Sequence, residues 1–227
     1  MPLLRFDKVC KRFPGGQAAL TDISFDLDVG EMMFLTGHSG AGKTTLLRLI
    51  HLTERPSSGA VLVDGKNQNQ IRGRAIPFAR RRVGVVFQDH RLLMDRSVHD
   101  NVALPLVIAG MARVEIGKRV RTVLEKVGLA SRERSLPITL STGEQQRVGI
   151  ARAVVAQPMI LIADEPTGNL DPQLAADVMN LFASLPAQGT AVLVASHDLH
   201  LVKRLQKRVL VLEQGRLIDD FRPDGSP

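Results

Sequence analysis

A glycine-rich segment near the N-terminus has the spacing of a phosphate-binding loop, with two glycines separated by four residues, then lysine and threonine. The segment comprises Gly37, His38, Ser39, Gly40, Ala41, Gly42, Lys43, Thr44 and Thr45. Glycines let backbone N–H groups converge on phosphate oxygens, and the helix that follows adds partial positive charge. We expect Lys43 to neutralise the β- and γ-phosphates of a nucleotide and the Thr44 hydroxyl to bind Mg²⁺. The alternative, a glycine-rich turn with a solvated lysine, is disfavoured by the complete motif.

Two adjacent carboxylates follow an apolar run, residues 160–163, that is typical of a buried strand. Ligands of open α/β sheets bind at the carboxyl ends of the strands, so Asp164 and Glu165 are expected beside the phosphate-binding loop. We expect Asp164 to support Mg²⁺ through water, and Glu165 to act as the general base on an attacking water. Taken alone, the pair also fits a strand that ends in two solvated acids.

A capping-box pattern, Ser141 followed three residues later by Glu144, predicts a helix that runs to about Ala156. The start of such a helix has free N–H donors, and together with the Ser141 hydroxyl they suit an anion. By itself the pattern fits a well-capped helix without a ligand equally well.

Short β-type runs alternate with helical patterns along the chain, which indicates an α/β fold with a largely parallel sheet. The runs that predict strands are 4–9, 23–27, 31–36, 60–63, 83–87, 160–163, 191–195, 209–212 and 216–218, the last two forming a hairpin. A helix is predicted over 44–52. Between 89 and 156 the pattern is helical, most clearly over 114–127, which predicts a helical subdomain inserted into one α/β core.

The composition limits the classes of partner. The net charge of +7 comes with short basic runs, no Tyr or Trp and eight Phe, so a groove for stacked bases is disfavoured and no nucleic-acid partner is expected. The longest nearly apolar run, 102–112, is interrupted by Pro105 and is too short to cross a bilayer, so we expect no membrane span. The single cysteine, Cys10, fits a reducing compartment.

The motifs, in this order and over nearly the whole chain, are similar to those of the ABC (ATP-binding cassette) ATPase family. The family signature L-S-G-G-Q corresponds to residues 140–144, and the familiar continuation Q-R-V-G-I-A-R-A to residues 146–153. The resemblance implies hydrolysis of ATP, bound with Mg²⁺, to ADP and phosphate. It also implies that the signature contacts the γ-phosphate held by a second copy, so that ATP binding produces a homodimer.

The resemblance implies roles for four further residues. Gln88 matches the glutamine that links metal and attacking water to the helical subdomain, and His197 matches the histidine that contacts the γ-phosphate. Asp171 lies in the segment 168–171, which matches the loop that crosses to the other subunit. Phe13 stands where the family usually stacks a tyrosine on adenine. Each residue alone also fits an ordinary polar or core position.

The chain departs from the family pattern at two signature positions and at the residue expected to stack on adenine. Thr142 replaces the first signature glycine and adds a side chain where the second copy's phosphate must approach, whereas Gly143 is intact. Glu144 replaces the usual glutamine, which a capping box tolerates. Phe13 keeps the aromatic face without the hydroxyl. We expect an active enzyme of modest turnover.

The resemblance implies a P-loop NTPase fold of the ABC nucleotide-binding type. This fold has a RecA-like core, an N-terminal β-subdomain and an inserted helical subdomain. Within a single domain we assign residues 1–88 and 157–222 to the α/β core, 89–156 to the helical subdomain and 223–227 to a tail.

Three segments, 37–43, 86–96 and 100–106, most closely resemble the cell-division branch of the family. The resemblance implies an integral membrane partner, FtsX, and a place on the cytoplasmic face of the bacterial inner membrane at the division site. It implies control of cell-wall hydrolases there. We hypothesise that the segment 89–106 receives a cytoplasmic helix of the partner, although ordinary packing also accounts for its leucines.

Other ABC systems remain as alternatives. The segment 163–171 is shared with ATPases of lipoprotein release and of MacB-type export, which have the same chemistry and a different partner. A nucleic-acid-linked ABC ATPase usually has a second cassette, a coiled-coil insertion or added domains, for which 227 residues leave no room. A module that binds ATP without turnover is disfavoured by Glu165.

Overall fold

Ten strands and seven α-helices are present in the described part of the chain, residues 1–168 and 170–223 of the computed structural model. The strands are β1 (Leu4–Arg12), β2 (Ala18–Leu27), β3 (Met32–Thr36), β4 (Ser58–Val63), β5 (Lys66–Asn67), β6 (Val83–Val86), β7 (Ile160–Asp164), β8 (Ala191–Ala195), β9 (Arg208–Glu213) and β10 (Arg216–Phe221). The helices are α1 (Lys43–Ile50), α2 (Ile76–Arg80), α3 (Val98–Ile108), α4 (Arg113–Lys126), α5 (Thr142–Val154), α6 (Pro172–Ser184) and α7 (Leu199–Leu205).

Six strands form a sheet in the order β10-β9-β3-β8-β7-β6, and every neighbouring pair is parallel except the β9–β10 hairpin. The central strands β3 and β8 are buried throughout, as continuous apolar runs predict for a sheet covered on both faces. Leu35 and Asp164 both pair with Ala195, so β3 and β7 end at the same edge. The loops that leave these two strands therefore meet there.

The N-terminal strands form a separate antiparallel sheet in the order β2-β1-β4-β5. The strand predictions at 4–9, 23–27 and 60–63 are confirmed. Hydrophobic periodicity alone did not assign them to a second sheet, but the family resemblance implied an N-terminal β-subdomain, which this sheet forms. Phe6 and Phe25 stack at a centroid distance of 4.7 Å, in a core that includes Leu46 and Leu49 of α1. The turn between β1 and β2 carries Phe13, so this sheet positions the expected adenine contact.

The segment 89–156 contains α3, α4 and α5 and no strand. Buried residues of these helices, among them Leu106, Val120 and Ile150, share one core with Phe34 of the parallel sheet. No helix in the described ranges combines the length and the apolar character that a bilayer span needs. The boundaries that we assigned to a separate helical subdomain remain a prediction.

Some boundaries and elements differ from the sequence prediction. Helix α1 ends at Ile50, two residues early, and Leu52 has left-handed backbone with φ 58°. Helices α2, α6 and α7 were not predicted. Asn169, within the predicted crossing loop, and 224–227, within the predicted tail, lie outside the described residues.

Candidate active site

The phosphate-binding loop joins β3 to α1. At two of its positions only glycine fits, because a side chain there would clash with neighbouring backbone. Gly37 has φ 147°, and a Cβ there would lie 2.1 Å from the carbonyl oxygen of Leu212 in β9. Gly42 has φ 110°, and a Cβ there would lie 2.7 Å from the carbonyl oxygen of Ala19 in β2. The loop is therefore held between the two sheets, where a side chain has no room.

Lys43 lies back across this loop. Its Nζ donates to the carbonyl oxygens of Gly37 at 2.7 Å and His38 at 3.2 Å. The ammonium is thus kept at the mouth of the loop. A phosphate cradled by the loop's N–H groups would meet a positive charge already in position.

The loop contacts the end of β7 through Thr44 and Asp164. The Thr44 hydroxyl donates to Oδ2 of Asp164 at 2.7 Å, across 120 residues of sequence. Burial is the main cause that raises the pKa of the Asp164 carboxyl, and the nearby charge of Glu165 raises it further, whereas the Thr44 hydrogen bond opposes both. These two oxygen donors suit Mg²⁺, which binds few protein ligands and completes its shell with water and phosphate oxygens. The described residues contain no cluster of three His, Cys, Asp or Glu side chains that could hold a metal without a nucleotide.

Glu165 turns away from β7 because its backbone is left-handed, with φ 48°. Its N–H donates to the carbonyl oxygen of Ala195 at 3.0 Å, which ties this turn to β8. The side chain accepts a hydrogen bond at Oε2 from Nδ1 of His197, at 2.8 Å. The Glu165 side chain is 17% exposed and that of His197 is 73% exposed, so the carboxylate is sheltered while the imidazole still faces solvent. A left-handed non-glycine residue held by its surroundings is common at active sites.

One open cleft of about 920 Å³ brings most of the predicted site together. The predicted site residues that line it are Phe13, Gly37, His38, Ser39, Gly40, Ala41, Gly42, Lys43, Thr44, Thr45, Gln88, Asp164, Glu165 and His197. The cleft has lining residues that our sequence reasoning missed, namely Gln17, Ala18, Ala19, Thr36, Leu199, Val211, Leu212, Glu213 and Ile218. These belong to no chemical motif, and pairing of β3 with β9 is what brings the β9 residues to the cleft.

The signature residues are not at this cleft. Ser141 caps α5, accepting at Oγ from the Glu144 N–H at 3.2 Å while Glu144 accepts from the Ser141 N–H at 2.9 Å, so the predicted capping box is confirmed. These hydrogen bonds, with an ion pair to Arg132, lower the pKa of the Glu144 carboxyl. Of the described residues that line the cleft, none is Ser141, Thr142, Gly143 or Glu144.

Asp171 also lies outside the cleft. Its carboxylate caps α6 by accepting from the N–H groups of Gln173 and Leu174, both at 3.0 Å. The structure therefore explains Asp171 as a helix cap, and its predicted role toward a second copy remains a prediction. A single chain assembles the phosphate loop, the carboxylates, Gln88 and His197, but not the residues expected to face another nucleotide.

Comparisons with known proteins agree with this geometry. The family model described as ABC transporter matches residues 20–168. The chain is 51% identical over 215 residues to the cell division ATP-binding protein FtsE of Escherichia coli (strain K12), covering 95% of this chain and 97% of that protein. It is 46% identical to the protein of the same name from Mycobacterium tuberculosis, covering 96% and 95%. A dimeric ATP-binding cassette in a post-hydrolysis state, bound to ADP and phosphate, has a TM-score of 0.92 and 31% identity, covering 98% of this chain and all of that one.

Proposed function

The chain belongs to the ABC transporter family of ATP-binding cassettes, and from that premise we propose that it is the ATPase subunit of a bacterial cell-division complex. It binds ATP and is an ATPase. The cell-division role is supported by relatives named for it that match nearly the full length of both chains. That full-length similarity is the observation that carries the proposal.

We assign the chemistry of one turnover to residues at the ends of β3, β7 and β8. Glu165 takes the proton from a water whose oxygen attacks the γ-phosphorus, and the bond to the oxygen bridging the β- and γ-phosphates breaks, releasing ADP. Lys43 and the N–H groups of the loop hold the phosphates in line. His197 keeps the Glu165 carboxylate in place through Nδ1–H, which leaves its Nε2 free to face the γ-phosphate.

Mg²⁺ would be held by the Thr44 hydroxyl and, through water, by Asp164, with Gln88 as a further contact at the metal. When bound, the ion neutralises charge on the β- and γ-phosphate oxygens. A bound cation would oppose the effect of burial, which raises the pKa of the Asp164 carboxyl, and so would favour its ionised form. Phe13 would stack on the adenine, from the turn that leads into β2.

A second copy completes each site in this proposal. The start of α5 has free N–H donors, yet in one chain it does not reach the cleft. If two copies pack head to tail, Ser141 and Gly143 of one copy lie against the phosphate held by the other. Asp171 then lies near the interface between the two copies. That the solved cassettes at a TM-score of 0.92 are dimeric supports the association of two copies.

We further propose that an integral membrane partner, of the FtsX type, docks on the segment 89–106 from the cytoplasmic side of the inner membrane. Leu92 is 8% exposed and packs in the core, whereas Leu93 and Met94 are 42% and 48% exposed. The charged residues Asp95 and Arg96 follow these two directly in sequence and pair with each other. The segment begins directly after Gln88, so movement at the nucleotide would reach the partner and, through it, cell-wall hydrolases.

Co-expression with candidate membrane partners tests this function. We expect the chain to co-purify with a cell-division membrane protein, and its ATPase rate to change when that protein is present. Leu93→Ala and Met94→Ala should weaken co-purification while ATP binding is retained, and Val29→Ala, at an exposed apolar residue outside the segment, is the matched control. Co-purification only with a lipoprotein-release or export membrane protein would replace the cell-division role with that alternative. Equal co-purification of all variants would refute docking at Leu93 and Met94.

A further inference from the structure

Arg152, in the last turn of α5, contacts the chain just beyond Gln88. Its two terminal guanidinium nitrogens donate to the carbonyl oxygens of His90 at 2.5 Å and Arg91 at 2.6 Å. These carbonyls belong to the second and third residues after Gln88, whose side chain lines the nucleotide cleft. One side chain of α5 thus holds two successive peptide groups of the loop 87–97, which joins β6 to α3.

The loop needs such support because its backbone is unfavourable. His90 and Arg91 have φ 56° and 49°, and consecutive left-handed conformations are uncommon for residues other than glycine. His90 is 9% exposed, and its Nδ1 finds no hydrogen-bond partner among the described residues. Arg91 folds back, with Nε 3.1 Å from Oδ1 of Asp89 and its guanidinium 4.4 Å from the centre of the Phe87 ring. The loop is held in this shape by its surroundings, not by local preference.

The other end of the loop is held by Asn101 of α3, which is fully buried. Its Oδ1 accepts from the Leu93 N–H at 2.8 Å, and its Nδ2 lies between 2.9 and 3.2 Å from the carbonyl oxygens of Leu93, Arg96 and Ser97. Two polar side chains from two helices therefore fix residues 90–97. Arg152 holds the end next to Gln88, and Asn101 holds the end next to α3.

Helix α5 connects this loop to the signature. It spans 13 residues, about 20 Å, from Thr142, directly after the cap at Ser141, to Val154, and its middle is packed in the core through Val148 and Ile150. No carboxylate in the described ranges forms an ion pair with Arg152, whose charge is instead placed at the partially negative C-terminus of its own helix. A packed helix of this length moves as one body, so its two ends are mechanically linked.

We propose that Arg152 is a positioning residue that couples Gln88 at the chain's own nucleotide to the signature that faces the nucleotide of the second copy. The inference rests on the proposed function, because it needs the composite sites of a homodimer. When nucleotide moves Gln88, the carbonyls of His90 and Arg91 carry the movement to Arg152, and α5 carries it to Ser141. The two sites then act in concert because each chain contributes Gln88 to one and Ser141 to the other.

Steady-state ATPase measurements on the full chain test the coupling, with Arg152→Ala compared against the parent, Arg152→Lys and Arg147→Ala. Arg147 is the matched control because it lies on the same helix and donates to one carbonyl, that of Val127, away from the loop. For Arg152→Ala we expect ATP affinity within about twofold of the parent, a kcat about tenfold lower and a Hill coefficient reduced toward one. Arg152→Lys, which keeps the charge and can reach one carbonyl, should recover part of both losses. Arg147→Ala should keep the parent's Hill coefficient.

Hydrogen exchange separates positioning from a general loss of folding. In Arg152→Ala the amides of 88–93 should exchange faster, whereas those of Thr142–Gln145, at the far end of α5, should keep the parent's protection without nucleotide. If Arg152→Ala folds poorly, Arg152→Lys is compared with the parent instead, using the same measurements of kcat, Hill coefficient and hydrogen exchange. Parent-like cooperativity and kcat in folded Arg152→Ala, or in Arg152→Lys if the alanine variant does not fold, would overturn the inference. A parent chain that turns over as a non-cooperative monomer would instead overturn the composite site proposed above.

Discussion

Nδ1 of His197 lies 2.8 Å from Oε2 of Glu165, which joins the ends of β7 and β8 by a side-chain hydrogen bond within one chain. An ionised carboxylate only accepts hydrogen bonds, so Nδ1 is the ring nitrogen that carries the proton in this contact. The histidine is far more exposed than the glutamate. In the proposed mechanism, this hydrogen bond holds the Glu165 carboxylate in place while the exposed imidazole of His197 meets the γ-phosphate.

Glu165→Gln should abolish turnover while preserving nucleotide binding. The amide keeps the size of the side chain but cannot take a proton, so we expect kcat to fall by roughly 100-fold or more. ATP should then accumulate in a stable dimer, which size-exclusion chromatography with light scattering would detect. Glu213→Gln is the matched control, since Glu213 lines the same cleft at the end of β9. Hydrolysis by Glu165→Gln at the parent's rate would remove Glu165 as the base.

His197→Ala should lower kcat with little effect on KM. Loss of the imidazole frees the Glu165 carboxylate to rotate and removes a contact to the γ-phosphate, while the phosphate loop remains unchanged. We expect a decrease of about tenfold or more, measured by phosphate release. His200→Ala, three residues along on α7 and exposed, should match the parent. A rise in KM with unchanged kcat would mean that His197 contributes to binding alone.

Asp164→Asn should stabilise the chain in the absence of nucleotide and Mg²⁺ at neutral pH. Burial raises the pKa of this carboxyl in the fold above its value in the unfolded chain, so its ionised form opposes folding. That penalty is fully present above the folded-state pKa, shrinks as pH falls from there toward the ordinary value of 3.8, and vanishes below it. Urea unfolding of parent and variant between pH 7 and 3.5 measures the difference. An advantage of the variant that grows with falling pH would contradict this sign.

Thr142→Gly should raise turnover and slightly weaken the fold. The substitution restores a glycine where a phosphate of the second copy is expected to approach, and it removes the Cβ, the methyl group and the hydroxyl from that contact. Glycine is a slightly poorer helix former than threonine, so the change in the first turn of α5 should cost roughly 0.3 kcal/mol of stability. Paired kcat and thermal unfolding measurements check both effects. Lower turnover with Thr142→Gly would show that the threonine contributes to the contact.

The sequence predicted the parts of the fold that depend on local pattern. Continuous apolar runs identified β3, β7 and β8, and the pairing of Ser141 with Glu144 identified the start of α5. The placement of Asp164 beside the loop followed from a rule about strand ends, and the Thr44 hydrogen bond agrees with it.

Contacts between residues far apart in the chain could not be predicted from the sequence where no motif marks them. The pattern of β1, β2 and β4 does not show that they leave the parallel sheet, because an alternating strand looks the same in either sheet. The close approach of Leu212 to Gly37 depends on how β9 pairs with β3. Arg152 lies within the family continuation at 146–153, but that pattern does not say which groups its side chain contacts, so only the coordinates show the hydrogen bonds to the loop.

Complementation between two defective chains tests the composite site most directly. Lys43→Ala removes the main cation of the phosphate loop, and Ser141→Ala removes the signature hydroxyl, so each variant alone should lose nearly all turnover. Mixed, the two chains form some heterodimers in which one site joins an intact loop to an intact signature, and we predict partial recovery of ATPase activity. No recovery on mixing, with Ser141→Ala fully active by itself as a monomer, would contradict the account.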